Sequence, residues 1–140
     1  MKRKNFGFTL IELLVTMTIV AVLLGISLVS YQGARKSARD GKRKADLEQV
    51  RSALEMCRTD SGGYPIGSLS SGGNIDCVIR GETEATTYLK IPTDPLTGRI
   101  YSYTGTANAY TLCAALETSS EVVTGCDSCT MACNYKVTNP

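Results

Sequence analysis

The chain lacks histidine and tryptophan altogether. Histidine is the most common general base and the most common metal ligand, so its absence removes both roles. No Gly-Lys-Ser/Thr phosphate-binding loop is present, and no paired-carboxylate motif stands out. We therefore expect that the protein is not an enzyme. An envelope thiol oxidoreductase is the one remote enzymatic alternative.

The charge is mild, because 15 basic side chains face 13 acidic ones. Three basic residues, Lys2, Arg3 and Lys4, precede a long apolar run, and six more lie between Arg35 and Lys44. Removal of residues 1–7 would leave 12 basic and 13 acidic side chains. Binding to nucleic acid depends on many contacts between basic side chains and phosphates, so this balance argues against nucleic acid as the main partner.

The apolar run extends over 22 residues, from Phe8 to Val29, and contains a single ionisable side chain, Glu12. As a helix it would be ~33 Å long, enough to cross a ~30 Å hydrocarbon core. A cleaved secretory signal is the alternative, but its apolar stretch is shorter and is followed by a small-residue cleavage site. The sequence after Val29 has no such site. We therefore predict a membrane-spanning helix.

Helical character continues beyond the apolar run, since no proline occurs between Met1 and Tyr64. An apolar stripe recurs at helical spacing at Leu47, Val50, Ala53, Leu54 and Cys57. We predict one nearly continuous helix over about residues 8–58, apolar all round in its first half and amphipathic in its second. Its three glycines, at positions 25, 33 and 41, are its weak points, each costing up to ~1 kcal/mol relative to alanine.

The remainder predicts a small region rich in loops and strands. A Ser/Gly-rich loop covers about residues 66–74, and a short helix is expected over 84–89. Alternating patterns predict strands at 99–104 and 109–116, with a third near 133–137. The fold class is therefore α+β, with a long N-terminal helix whose amphipathic half packs on a small antiparallel sheet.

Six cysteines stand at positions 57, 77, 113, 126, 129 and 133. An even number in a small exported chain indicates a disulfide framework, although six cysteines allow 15 pairings. We expect Cys57 to pair with Cys77, and Cys113 to join one of Cys126, Cys129 and Cys133, leaving the other two to pair. The alternatives are a zinc site of four thiolates, a redox-active C-x-x-C pair and free thiols.

The N-terminal segment resembles the signal of type IV pilins and type II secretion pseudopilins. The resemblance covers residues 2 to about 29: a short basic leader, Gly7-Phe8, then Thr-Leu-Ile-Glu and an apolar helix. The rest is similar, more loosely, to the G-type major pseudopilin. The matching pieces include Asp60-Ser61-Gly62-Gly63-Tyr64-Pro65 and the segment from Tyr88 to Pro95.

The resemblance implies processing and assembly. A membrane-embedded prepilin peptidase would cut between Gly7 and Phe8 and methylate the new Phe8 amine to give N-methylphenylalanine. The domains would then be a cleaved leader at 1–7, a transmembrane and filament-core helix at 8–33, and an extracytoplasmic pilin-like globular domain at 34–140. Glycine suits the cleavage site, because the lack of a β-carbon allows close approach to its carbonyl.

Glu12 is the candidate assembly residue. A lone carboxylate in a membrane helix costs ~2.5–3.5 kcal/mol on insertion scales, and such residues are usually functional. In a filament it would pair with the Phe8 amine of a neighbouring subunit. The alternative is that Glu12 lies near the membrane edge and only reaches towards the polar interface.

The basic band at residues 35–44 conflicts with the positive-inside rule if it lies outside the cell. We still place the N-terminus in the cytoplasm, because the cleavage motif requires access from that side, and so predict a single-pass protein of the cytoplasmic membrane. The band is interpreted as a solvated helix face that pairs with acidic groups of adjacent subunits. Contact with anionic headgroups, or with DNA during uptake, is the less favoured alternative.

The expected partners are the prepilin peptidase, identical or related pilin subunits and an assembly platform in the inner membrane. A non-assembling, membrane-anchored binding module and a DNA-uptake pilin are the alternative functions.

G-type pseudopilins often carry a C-terminal calcium site, but beyond Glu117 this tail has only Glu121 and Asp127 as acidic residues. Calcium takes 6–8 oxygen ligands, so we expect no metal and no cofactor, with the cysteine-rich tail acting as the staple.

If all six cysteines are paired, reduction of the intact protein will add six hydrogens, or about 6 Da, because each disulfide takes up two hydrogens when it becomes two thiols. Intact-mass measurement before and after reduction tests this. A smaller gain would show that free thiols are present in the oxidised protein.

Overall fold

One helix, α1, runs from Leu10 to Ser61 in a computed structural model that describes residues 7–69, 71–126 and 129–140, with Val29 described by its backbone only. The helix has 52 residues and continues through all three of its glycines. It ends where Gly62 takes a φ of 89°, a left-handed conformation that glycine adopts without strain. There the Gly62 N–H donates to the Arg58 carbonyl at 2.8 Å, which satisfies one of the last helix carbonyls.

The chain divides into two compact units, Met1–Lys36 and Ser37–Pro140. In the first unit, every described side chain is exposed. The second unit contains the rest of α1 and five short strands. The strands are β1 (Asn74–Val78), β2 (Ala85–Lys90), β3 (Ser102–Gly105), β4 (Tyr110–Ala114) and β5 (Tyr135–Thr138).

The strands form two antiparallel sheets. β1 pairs with β2 in a two-stranded sheet, in which Cys77 lies opposite Thr86. The other three strands form a sheet with β4 in the centre, between β3 and β5. In that sheet Leu112 of β4 lies opposite Tyr103 on one side and Val137 on the other.

The core of the second unit lies between α1 and the strands. The apolar stripe of the helix supplies Leu47, Val50, Leu54 and Cys57, each at most 3% exposed. These residues share one buried cluster with strand and loop residues: Ile75, Cys77, Ile91, Tyr101, Tyr103, Tyr110, Leu112, Ala114 and Val137. The α+β fold, with an amphipathic helix packed on antiparallel strands, is therefore confirmed.

One local prediction was wrong, and one strand was missed. Residues 84–89, expected as a short helix, lie almost entirely in β2, because the β-branched pair Thr86-Thr87 pairs with β1 across a hairpin. β1 itself was not predicted, since the Ser/Gly-rich segment before it indicated a loop. Its burial nevertheless alternates, with Ile75 and Cys77 buried between exposed neighbours, as expected of a strand with one face in the core.

Candidate functional site

The Gly7–Phe8 junction lies just before the first turn of α1 and is exposed. Phe8 is 91% exposed, and a β-carbon added to Gly7 would meet no described atom within 4 Å. The described part of the chain therefore gives no reason of its own for glycine at this position. Residues 1–6 of the expected leader lie outside the described residues.

Glu12 forms a capping box with Thr9 at the start of α1. The Thr9 N–H and hydroxyl donate to Glu12 Oε2 at 2.9 and 2.7 Å, and the Glu12 N–H donates to Thr9 Oγ1 at 3.3 Å. These bonds satisfy backbone donors that have no partner within the helix. In the single chain the carboxylate is therefore already hydrogen-bonded, to its own helix terminus.

The first part of α1 has the composition of a membrane span. Beyond Glu12 it carries no further charge until Arg35, and no part of its most apolar stretch is buried within the chain. Length and composition thus agree with membrane anchoring through this helix.

The second unit contains a buried ionic cluster centred on Arg43, whose side chain is fully buried. Its Nε and Nη2 donate to both carboxylate oxygens of Asp94, at 2.7 and 2.9 Å. Its Nη1 donates to Asp40 at 2.7 Å and to Glu117 at 2.8 Å. One guanidinium therefore joins α1, the turn that contains Asp94 and the chain that leaves β4.

The same cluster includes Arg39 and the hydroxyl of Thr118. Arg39 donates to both carboxylate oxygens of Glu117, at 2.7 and 2.6 Å. Asp40 accepts from the backbone N–H groups of Glu117 and Thr118 and from the Thr118 hydroxyl. The start of the C-terminal tail is thus fixed to α1 by ion pairs and by backbone hydrogen bonds.

This cluster corrects the interpretation of the basic band as a solvated helix face. Arg43 is buried, and Arg39 and Arg43 pair with acidic groups of their own chain rather than with solvent. Lys42 is exposed, and Lys44 Nζ lies 5.5 Å from the ring centroid of Tyr135. Two of the six basic residues are therefore structural.

Hydrogen bonding shifts the pKa values of the acidic members. Burial by itself would raise the pKa of Asp40, but hydrogen bonds from Glu117, Thr118 and Arg43 outweigh it and lower the pKa to about 2. The Arg39 guanidinium, with Arg43, lowers the pKa of Glu117 to about 2 despite desolvation. Burial opposes the charge of Asp94 as well, yet its bonds to Arg43 lower its pKa. All three carboxyls therefore stay ionised well below neutral pH.

The disulfide framework expected from the six cysteines is present. Cys57 of α1 is bonded to Cys77 of β1, Cys113 of β4 to Cys126, and Cys129 to Cys133. These bonds use all six cysteines, so none is left as a thiolate for the zinc alternative. Of the two acidic tail residues, Glu121 is exposed and Asp127 lies outside the described residues.

Comparisons with known proteins agree with the N-terminal geometry. A family model described as a prokaryotic N-terminal methylation motif matches residues 2–28. The chain is 27% identical to the type II secretion system core protein G of Pseudomonas aeruginosa, in a match that covers 73% of this chain and 75% of the relative. The chain is therefore similar to type IV pilins and type II secretion pseudopilins, and its N-terminus carries a prokaryotic methylation motif.

Other pilin and pseudopilin relatives are matched over shorter lengths. Core protein G of Aeromonas hydrophila is 27% identical over 60% of this chain and 56% of its own length. The type IV major fimbrial protein FimA of Dichelobacter nodosus is 33% identical over 43% of this chain and 38% of its own length. The chain thus spans little more than half of the Aeromonas relative, and less of the Dichelobacter one. No solved structure matches it significantly.

Two features of this pilin-like chain were missed in the sequence. The capping box was readable, because Thr9 precedes Glu12 by three residues at the start of an apolar run. The Arg43 cluster gave no comparable signal, since Asp94 and Glu117 lie 51 and 74 residues further along the chain. Nothing local distinguishes Arg43 from its five basic neighbours.

We expect Arg43→Met to lower the free energy of unfolding by about 3–5 kcal/mol, because it leaves buried carboxylates without their cation. Chemical denaturation of the detergent-solubilised protein measures the loss. Arg51→Met is the matched control, since the ion pair of Arg51 with Glu48, at 3.5 Å, is exposed. That pair is worth ~0–1 kcal/mol. Equal losses in both variants would contradict the structural role of Arg43.

The stabilisation by Arg43 should also depend on pH. Asp40 and Glu117 have lower pKa values in the folded chain than their ordinary 3.8 and 4.5, so their contribution is complete above about pH 4.5 and is lost as the pH falls towards about 2. The difference in stability between the wild type and Arg43→Met should therefore narrow over this range. Denaturation midpoints of both proteins across a pH series test this, and a difference that stays constant or widens would refute it.

Proposed function

We propose that this protein is a structural subunit of a type IV pilus or a type II secretion pseudopilus. The observation that carries the proposal is the methylation motif at residues 2–28, which coincides with an apolar helix that no described residue covers. Water does not stabilise such a surface, so the helix needs a bilayer or other apolar helices around it. A filament subunit uses both environments in turn.

The prepilin peptidase would cut at Gly7–Phe8 and methylate Phe8. The junction is exposed and precedes the helix, which suits access by another protein. The described part of the chain does not itself require glycine there, so the peptidase is the natural source of that requirement. We place residues 1–7 in the cytoplasm as a leader, residues 8–33 in the membrane and later in the filament core, and residues 34–140 outside.

Assembly would proceed through the N-terminal helix onto identical or related subunits, at a platform in the inner membrane. Glu12 would meet the Phe8 amine of a neighbour in a medium of low dielectric, where such a pair is strong. The relatives include both secretion and fimbrial proteins, so pilus and pseudopilus both remain within the proposal. A structural role also agrees with the non-enzymatic interpretation of the sequence.

DNA uptake through residues 35–44 is less well supported. Arg39 and Arg43 already carry ion pairs within the chain, so fewer of the band's charges are available for phosphate contacts.

For the C-terminal tail we propose that disulfides and ion pairs fix it in place, without calcium. The contacts of Asp40 with Glu117 and Thr118 fix the start of that tail directly.

The charge of Glu12, rather than its capping bond, should be required for assembly. Glutamine serves in a capping box as glutamate does, so Glu12→Gln should keep the helix start but remove the charge. We expect a stable, membrane-inserted and cleaved monomer that forms no filaments. Electron microscopy of sheared surface filaments, together with mass spectrometry of the N-terminal peptide, measures both outcomes.

Thr16→Leu is the matched control, because Thr16 lies one turn further along α1 and its hydroxyl donates to the Leu13 carbonyl of its own helix. The Thr16→Leu variant should form filaments in normal yield, and the subunits in these filaments should begin at methylated Phe8. Normal filament yield from Glu12→Gln would refute the charge pairing. Subunits that retain residues 1–7 in filaments would refute the processing.

A further inference from the structure

Two of the three disulfides lie side by side in the C-terminal part of the chain. The Sγ atoms of Cys113, Cys126 and Cys133 all lie within 4.8 Å of one another. Cys113 and Cys126 form one disulfide, whereas Cys133 belongs to the other, with Cys129. A sulfur of one disulfide is therefore close to both sulfurs of its neighbour, although no bond joins them.

Each of these two disulfides has one buried and one half-buried cysteine. Cys113 and Cys133 are 1% and 5% exposed, whereas Cys126 and Cys129 are half-buried. The remaining disulfide differs, because Cys57 and Cys77 are both buried in the main core. Thiol–disulfide exchange depends on access to the sulfur that is attacked. A thiolate from outside will thus reach Cys129, like Cys126, more readily than Cys133 or either cysteine of the third disulfide.

We propose that the C-terminal cysteines form a thiol-exchange site, which takes a small-molecule thiolate at Cys129 and relays the exchange to the Cys113–Cys126 disulfide. A small thiol fits better than a protein thiol, because Cys129 is half-buried. The chain acts here as a substrate of exchange, not as an oxidoreductase.

The first step opens the Cys129–Cys133 disulfide. The incoming thiolate forms a bond to Cys129 Sγ, the bond between Cys129 and Cys133 breaks, and Cys133 leaves as a thiolate. This thiolate is released within 4.8 Å of the sulfurs of both Cys113 and Cys126. It is therefore held next to a second disulfide that it can attack.

The relay then passes through Cys113. Cys133 forms a bond to Cys113 Sγ, and Cys126 leaves as a thiolate, because its half-buried sulfur carries negative charge at a lower cost than buried Cys113. Cys126 next attacks Cys129 in the mixed disulfide and returns the small thiolate. The products are the Cys113–Cys133 and Cys126–Cys129 disulfides, the latter in a C-x-x-C spacing. No electrons are gained or lost overall, so the thiol acts as a catalyst.

Disulfide mapping of the full-length protein in detergent tests the relay. The oxidised chain is incubated with reduced glutathione, quenched with an alkylating agent at intervals and digested. Cleavage at Asp127 separates Cys126 from Cys129, and cleavage at Met131 separates Cys129 from Cys133. We expect peptides that link Cys113 to Cys133 and Cys126 to Cys129 to accumulate. The Cys57–Cys77 disulfide should stay intact, so that neither of its cysteines is alkylated.

The matched control combines Cys129→Ser with Cys133→Ser, which removes the disulfide that the small thiol attacks first. Opening of Cys113–Cys126 should then be roughly tenfold slower or more, because attack within one molecule benefits from a high effective concentration. Protection of Cys57–Cys77 in this variant reports that the core is folded. Equal opening rates in the two proteins would overturn the relay. So would wild-type protein that gives only the original pairings, or that loses all three disulfides in parallel, whatever the variant does.

Discussion

The constraint that organises this molecule is that none of the described residues covers the apolar first part of α1. Side chains that would be buried in a soluble protein are exposed from Leu10 to Leu28, and no packing in the described part of the chain compensates for this. Burial of apolar surface is the dominant favourable contribution to folding and association. The helix must therefore obtain its burial from outside the chain, first from lipid and, in the proposed function, from other subunits.

In the second unit, by contrast, the same helix is buried by other parts of its own chain. Beyond Lys36 the helix turns amphipathic, and its apolar stripe packs into a core that the strands complete. Its polar side is not simply solvated, since Arg43 is buried against three carboxylates. Burial of a guanidinium is tolerable only when its donors are satisfied, and here hydrogen bonds to Asp40, Asp94 and Glu117 provide this. Two arginines of the basic band therefore connect α1 to other parts of the folded chain.

The sequence predicted best those features that depend on local pattern. The helix, observed from Leu10 to Ser61, agrees with the prediction for residues 8–58, since its composition and periodicity are local. β1 and the strand character of Thr86 and Thr87 were missed, because each depends on pairing with the other strand. The Arg43 cluster depends on residues up to 74 positions away, so no window of sequence contains it. Of the N-terminal features, only the Thr9–Glu12 bonds were overlooked although their spacing was visible.

The bond between Cys57 and Cys77 has a mechanical consequence. In the proposed function the N-terminal helix holds the subunit in a filament, so a pull on the filament would act on the subunit along that helix. The ion pairs of Arg43 link the helix to the turn at Asp94 and to the tail. Further along the helix, the disulfide of Cys57 links the helix covalently to β1. Tension can break the ion pairs and they can form again, whereas the covalent link keeps the helix and the globular region from separating. The subunit can thus yield locally under load without coming apart.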